Sequence, residues 1–232
     1  MNLRLAALVL ALLPALARAQ PVPGLDGTDT RRPVNARAAP WNAIGRFEAA
    51  GEAGCSGVLV GPRLVLTAAH CLVDEARGRM LPASAARFTL ADGTVRQGVS
   101  YRHGQGFIPA RQEPWRADWA YVTLDAEVPG VQPLALLREP PSAGLPLALG
   151  GWQHDRPGVI TADTGCRVIG TATYGAQGMV IQHNCAGTFG SSGAPILARG
   201  ADGRWAILGV QAKAALGQRF GVAVPAFALP LP

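Results

Sequence analysis

Lysine is almost missing from this chain: Lys213 is the only one, and arginines scattered along the sequence carry the positive charge. A net charge of +6 without any Lys/Arg block gives a solvated basic surface, not a tract for nucleic acid or an anionic membrane. Helical periodicity is scarce, and beyond the first residues only a turn around Val73 to Arg77 reads as helical. There is no Cys-x-x-Cys pair and no histidine pair at zinc spacing, which argues against a structural metal. Internal repeats, low-complexity tracts and nucleotide-binding glycine motifs are absent as well. No metal and no organic cofactor is expected, and nucleic-acid partners and a membrane span are not expected either.

The chain begins with Arg4, the apolar run Leu5 to Leu13, Pro14 and then Ala17-Arg18-Ala19, with no acidic residue. A basic start, a short apolar core and an Ala-x-Ala site describe a secretory signal peptide over residues 1–19, too short and wrongly flanked to span a membrane. This predicts a secreted or periplasmic protein. Residues 20–40 are rich in Pro, Gly, Asp, Thr and Arg without apolar periodicity, so they read as an irregular N-terminal arm or propeptide. The four cysteines of an exported chain imply two disulfides, for which sequence alone allows three connectivities.

From Trp41 onward, short apolar or alternating runs are separated by Gly, Pro and Asp-Gly turns. Val58 to Val60, Leu64 to Thr67, Arg87 to Leu90 and Ala120 to Leu124 precede a proline-dense connector, Val128 to Pro141. Leu145 to Leu149, Arg167 to Thr171, Met179 to Gln182, Ala194 to Leu197, Trp205 to Ala212 and Phe220 to Val224 follow it. Proline cannot donate to a sheet ladder, so the connector divides residues 41–232 into halves of about 41–128 and 142–232. Many short strands with frequent turns make an all-β barrel protein. Pro225, Pro230 and Pro232 leave little room for a C-terminal helix.

Three stretches carry chemistry. Gly187-Thr-Phe-Gly-Ser-Ser-Gly-Ala-Pro195 makes a tight turn from which a hydroxyl projects while backbone N–H groups point at a common spot. Val65-Leu-Thr-Ala-Ala-His-Cys71 runs an apolar strand into small residues that leave His70 at the strand end. Ala117-Asp-Trp-Ala-Tyr-Val-Thr-Leu124 sets Asp118 just ahead of a β-rich run, where it can lie behind the imidazole. Serine as nucleophile, histidine as base and aspartate as orienter then follow in the order His70, Asp118, Ser192.

Together with Cys55-Ser-Gly-Val-Leu-Val60, these motifs resemble the chymotrypsin/trypsin-like serine peptidases, most of all the short secreted bacterial branch that includes the glutamyl endopeptidases. The resemblance covers about Pro40 to about Phe227. It implies two six-stranded antiparallel barrels with the site in the cleft between them, and disulfides joining Cys55 to Cys71 and Cys166 to Cys185. Alignment with Gly-x-Ser-Gly-x-Pro makes Ser192 the nucleophile and Ser191 the variable position. It also implies an oxyanion hole from the N–H groups of Gly190 and Ser192, and a substrate pocket at Ala186, Gln211, Ala212 and Gly221. The expected activity is a monomeric serine endopeptidase acting on proteins or peptides. The alternative is a catalytically silent homologue that keeps the fold as a binding module.

Other arrangements fit less well. An α/β-hydrolase needs a histidine after its serine, and none follows Ser192. A subtilisin-like order has Asp29 available before His70, but the short strands give no parallel sheet with crossover helices. Asp125 falls at the far end of its strand, and Asp74 is too near His70 in sequence to oppose it. His103, His154 and His183 read as surface or locally hydrogen-bonded residues. Where relatives of the pancreatic type carry an Asp before the nucleophile to pair with a new N-terminus, this chain has Ser191, so that switch is expected to be missing. Maturation, if required, would cut within Pro21 to Pro40, with Arg32 or Arg37 as sites. Arg/Lys-specific relatives carry Asp where Ala186 stands, and glutamyl endopeptidases commonly present His where Gln211 stands, so an uncharged, small to medium P1 residue is expected.

Overall fold

The computed structural model describes residues 21–50 and 54–232. The expected signal peptide lies outside them. Twelve strands build two barrels. The first contains β1 (Ile44–Ala49), β2 (Cys55–Gly61), β3 (Leu64–Thr67), β4 (Ala86–Thr89), β5 (Val95–His103) and β6 (Ala120–Leu124). The second contains β7 (Pro146–Trp152), β8 (Ile160–Thr173), β9 (Met179–His183), β10 (Pro195–Arg199), β11 (Trp205–Ala214) and β12 (Gly221–Pro225). The first closes in the order β1-β2-β3-β6-β5-β4, and the second repeats that order as β7-β8-β9-β12-β11-β10, with every barrel pairing antiparallel. Closure leaves no unpaired barrel edge. The all-β expectation of two six-stranded barrels holds.

Small β-formers and apolar residues fill the barrels. Phe47, Leu59, Val65, Phe88 and Val122 pack inside the first, and Leu147, Leu149, Ile181, Ile196 and Leu208 inside the second. Ala148, Leu197, Ile207 and Val224 of the second barrel belong to the same apolar cluster as the first barrel's core. That shared burial fixes one barrel against the other. The connector runs extended between them: Leu134 donates its N–H to Leu59 and Leu137 to Ile207.

Two strands, β1 and β5, have no counterpart among the runs named above, and β8 begins before its run. β5 is largely exposed and interrupted by Gly98, and the first half of β8 carries Asp163 and Gly165. The helical turn expected at Val73 to Arg77 falls earlier, as a 3-10 turn over Ala69–Leu72. Val73–Asp74 is instead a short strand paired with Arg79–Met80, because the Asp74 side chain accepts the Arg77 N–H at 3.0 Å and Gly78 completes the turn at φ +61°. The C-terminal prolines leave only a 3-10 turn, Ala226–Ala228. Among the described residues no helix is long and apolar enough to cross a membrane.

The arm is ordered against the second barrel. Arg32–Pro33 pairs with Ala162 and Thr161 of β8, and Gly24 lies against Gly187, donating to Ala215 and accepting from Gly187. Arg31 is fully buried.

Candidate active site

Ala68 remains extended after β3, and the 3-10 turn then lifts His70 out of the strand. Cys71 on the same turn is bonded to Cys55 on β2, 16 residues away. On β6's side, Asp118 caps a 3-10 turn over Trp115–Ala117 and is completely buried. Its carboxylate grips His70 at two points: Oδ1 accepts the backbone N–H at 2.9 Å and Oδ2 meets Nδ1 at 2.8 Å. A carboxylate only accepts, so Nδ1 carries the hydrogen and Nε2 presents its lone pair outward.

The turn that carries Ser192 is stitched to the first barrel. Ser56 on β2 donates its N–H to the Ser192 carbonyl at 2.8 Å, and its hydroxyl donates to the Gly190 carbonyl at 2.9 Å. Gly193 sits so close to Thr67 and Ala68 that an added Cβ would fall 2.2 Å from Thr67 Oγ1. Ser192 is therefore set beside the strand end that turns into His70. Ser191 is buried and donates its N–H to Thr188 at 2.9 Å, so it faces the turn's interior. The second disulfide, Cys166 to Cys185, ties β8 to the segment entering the turn.

Peptide orientation matters most at Gly190. The Phe189 carbonyl accepts the His154 N–H at 2.9 Å, and in a trans peptide the following Gly190 N–H points the opposite way. Among the described residues, neither the Gly190 nor the Ser192 N–H meets an acceptor. Two donors thus stay available beside the Ser192 hydroxyl. Gly190 has φ +91°, and an added Cβ would lie 2.6 Å from the Trp152 carbonyl oxygen.

The expected pocket residues divide. Ala212 and Gly221 line neighbouring strands, but Gln211 is buried and held at both ends of its amide: Oε1 accepts from His183 Nε2 at 2.7 Å and Nε2 donates to the Lys213 carbonyl at 3.0 Å. His183 accepts the Cys185 N–H on Nδ1, which leaves Nε2 as its donor, and burial pushes its pKa down to about 4. Ala186 donates its N–H to Asp163 at 2.9 Å, and Asp163 also takes Arg219 at 3.0 Å. Sequence reading missed that carboxylate. Its signal was a single Asp in a strand, and its partners are 23 and 56 residues away. Lys213 turns from Gln211 to Gln112, 3.0 Å off, at the wall of a cavity of about 390 Å³ that Arg111, Trp115 and Tyr174 also line.

The competing groups are accounted for. Asp74 pairs with Arg77 at 2.8 Å, Asp125 is exposed past the end of β6, and His103 bonds the Gly104 carbonyl. His154 is hydrogen-bonded, joining its Nε2 to the Gly54 carbonyl at 2.6 Å, and stacks beside Phe189.

Two antiparallel barrels of one strand order, with a carboxylate-clamped histidine and a glycine-flanked serine turn between them, define the chymotrypsin-like class. Residues 55–210 match the trypsin-like peptidase domain, and the chain belongs to that family. Over 109 residues it is 30% identical to a glutamyl endopeptidase of Bacillus licheniformis, a match spanning 44% of this chain and 32% of that relative. A solved glutamyl endopeptidase superposes with a TM-score of 0.68 at 21% identity, covering 87% of this chain and 93% of that one. An M. tuberculosis protease in its active form superposes at 0.59 with 18% identity over 93% and 89%.

Proposed function

We propose that this chain is an exported serine endopeptidase that hydrolyses peptide bonds through an acyl-enzyme. The observation that carries this reading is the two-point clamp of buried Asp118 on His70, beside a turn whose Gly190 and Ser192 N–H groups meet no acceptor among the described residues. Ser192 Oγ attacks the substrate carbonyl, its proton passes to His70 Nε2, and the oxyanion settles between the two N–H groups. His70 then gives that proton to the departing amine as the C–N bond breaks. Water enters, loses a proton to His70 and displaces the acyl group, and Ser192 recovers its proton. Each donor in such a hole contributes about 3 kcal/mol to lowering the barrier.

The preferred P1 residue is uncharged and small to medium. Gln211 supplies no charge and its amide is tied to His183 and the Lys213 carbonyl, and the Asp163 carboxylate near Ala186 is already matched by Arg219. The glutamyl endopeptidases it resembles make acidic P1 residues the competing outcome, with Lys213 as the candidate cation. The two disulfides fit a secreted or periplasmic protein.

A fluorophosphonate probe with mass spectrometry tests the reading. Ser192 is labelled in the wild type, Ser192→Ala abolishes labelling, and Ser191→Ala retains it. His70→Ala and Asp118→Ala each lower turnover by about 10⁴-fold, without adding, because the three groups act as one unit. An unlabelled, inactive wild type makes the chain a binding module, and labelling lost only in Ser191→Ala moves the nucleophile.

A further inference from the structure

We infer that Arg31, in the N-terminal arm, is a positioning residue that holds the oxyanion hole in its working form. The inference rests on the serine-peptidase reading above.

Arg31 is the largest completely buried side chain among the described residues, and all five of its N–H donors are used. Nε and Nη2 reach Asp29 at 2.9 Å each, and Nη1 and Nη2 reach Asp155 at 3.0 and 2.6 Å. The remaining Nη1 hydrogen goes to Gln153 Oε1 at 2.6 Å. Two carboxylates face one buried guanidinium, and Arg156, a second cation on Asp29, balances the charge. Asp29 belongs to the arm; Gln153 and Asp155 belong to the loop after β7.

That loop forms one wall of the serine turn. Gln153 Oε1, the atom Arg31 holds, also accepts the Thr188 N–H at 2.8 Å, and Gln153 Nε2 donates to Thr161. One residue on, the His154 N–H holds the Phe189 carbonyl at 2.9 Å, which is the contact that aims the Gly190 N–H into the site. One residue back, Trp152 donates its N–H to Ser56 Oγ, the hydroxyl that holds the Gly190 carbonyl. The last residue of β7 and the loop that follows it thus fix the peptides on both sides of Phe189–Gly190, and Arg31 fixes the loop. Without the guanidinium, Asp155 and Gln153 lose their buried partner. The Phe189–Gly190 peptide then loses its reason to keep the carbonyl outward, and a flipped peptide fills the hole with an acceptor where a donor is needed.

The same arrangement assigns the arm a role in the working enzyme. A cut after Arg32 or Arg37 would free the segment carrying Arg31, so the arm acts as a built-in brace and not as a segment discarded on maturation.

The test uses the full exported chain. In Arg31→Ala, kcat falls about 100-fold while KM changes less than about threefold, since the hole acts on the transition state. A peptide aldehyde, whose hemiacetal oxygen occupies the hole, loses affinity by about the same factor. Arg31→Lys keeps the charge but has three donors for five acceptors, and Asp155→Asn weakens the loop side. Each falls about tenfold in kcat, and both serve as the test should Arg31→Ala fail to fold. Arg32→Ala, on an exposed neighbour, keeps wild-type kcat. Folded variants with wild-type kcat and aldehyde affinity overturn the inference, as does a loss confined to thermal stability. An active, Ser192-labelled wild type beside unimpaired Arg31 variants refutes the brace alone, whereas an inactive wild type refutes the peptidase reading and the brace together.

Discussion

Gly190 and Gly93 offer a comparison that separates backbone strain from placement of the hole. Both have left-handed backbone, at φ +91° and +89°. An alanine at either position meets the same intrinsic penalty, about 1–2 kcal/mol. At Gly93, in the hairpin between β4 and β5, an added Cβ has nothing within 4 Å. At Gly190 it lies 2.6 Å from the Trp152 carbonyl oxygen, 2.8 Å from His154 Cδ2 and 3.0 Å from Gln153 Cα. Two of those three atoms are backbone, so no side-chain rotation relieves the overlap, and the Phe189–Gly190 peptide has to move off the loop. Displacing that peptide costs one oxyanion donor, about 3 kcal/mol of barrier, which is about 100-fold in kcat. Thermal unfolding reads the shared strain: both variants lose about 2–8 °C at this chain length, Gly190→Ala more. Peptide hydrolysis reads the difference, with Gly93→Ala at wild-type kcat and Gly190→Ala about 100-fold slower. Equal kcat in the two variants would refute the assignment of Gly190 to the hole.

Three further outcomes follow from particular contacts. His183 charges near 6.5 when unfolded and only near 4 when folded, so the unfolded state binds the extra proton between those values. Its contribution is complete above pH 6.5 and declines towards pH 4 by up to roughly 3 kcal/mol; denaturant midpoints at pH 7 and 4.5 should show this slope, and an unchanged slope in His183→Gln rules it out. Replacing Cys55 and Cys71 by Ser opens a loop of 16 residues, which lowers stability by about 3 kcal/mol in the chain-entropy account, and an unchanged melting temperature contradicts it. In a peptide library, cleavage follows small to medium uncharged residues; dominant cleavage after Arg or Lys sinks the pocket assignment, and dominant cleavage after Glu transfers recognition to Lys213.

The sequence by itself determined the parts whose chemistry is local. Short alternating runs with glycine and proline between them can only close their backbone hydrogen bonds as sheet, and the all-β reading followed from that. His70, Asp118 and Ser192 stand out in the sequence as candidates because each sits in a short motif of small neighbours. Tertiary structure alone decided what depends on distant segments meeting. Both barrels share one strand order, yet no sequence repeat announces it, because backbone pairing specifies topology without specifying side chains. Nothing around Ser56 in the sequence points to its contact, because its hydroxyl meets Gly190, 134 residues away. Arg31 reads as a solvated charge in a proline-rich arm until Gln153 and Asp155, 122 and 124 residues on, close around it. A buried guanidinium is stable only when every donor is matched, and that match exists nowhere in the local sequence. The fold supplies it by laying the arm along β8, which places a charge the sequence assigned to solvent behind the loop that shapes the serine turn.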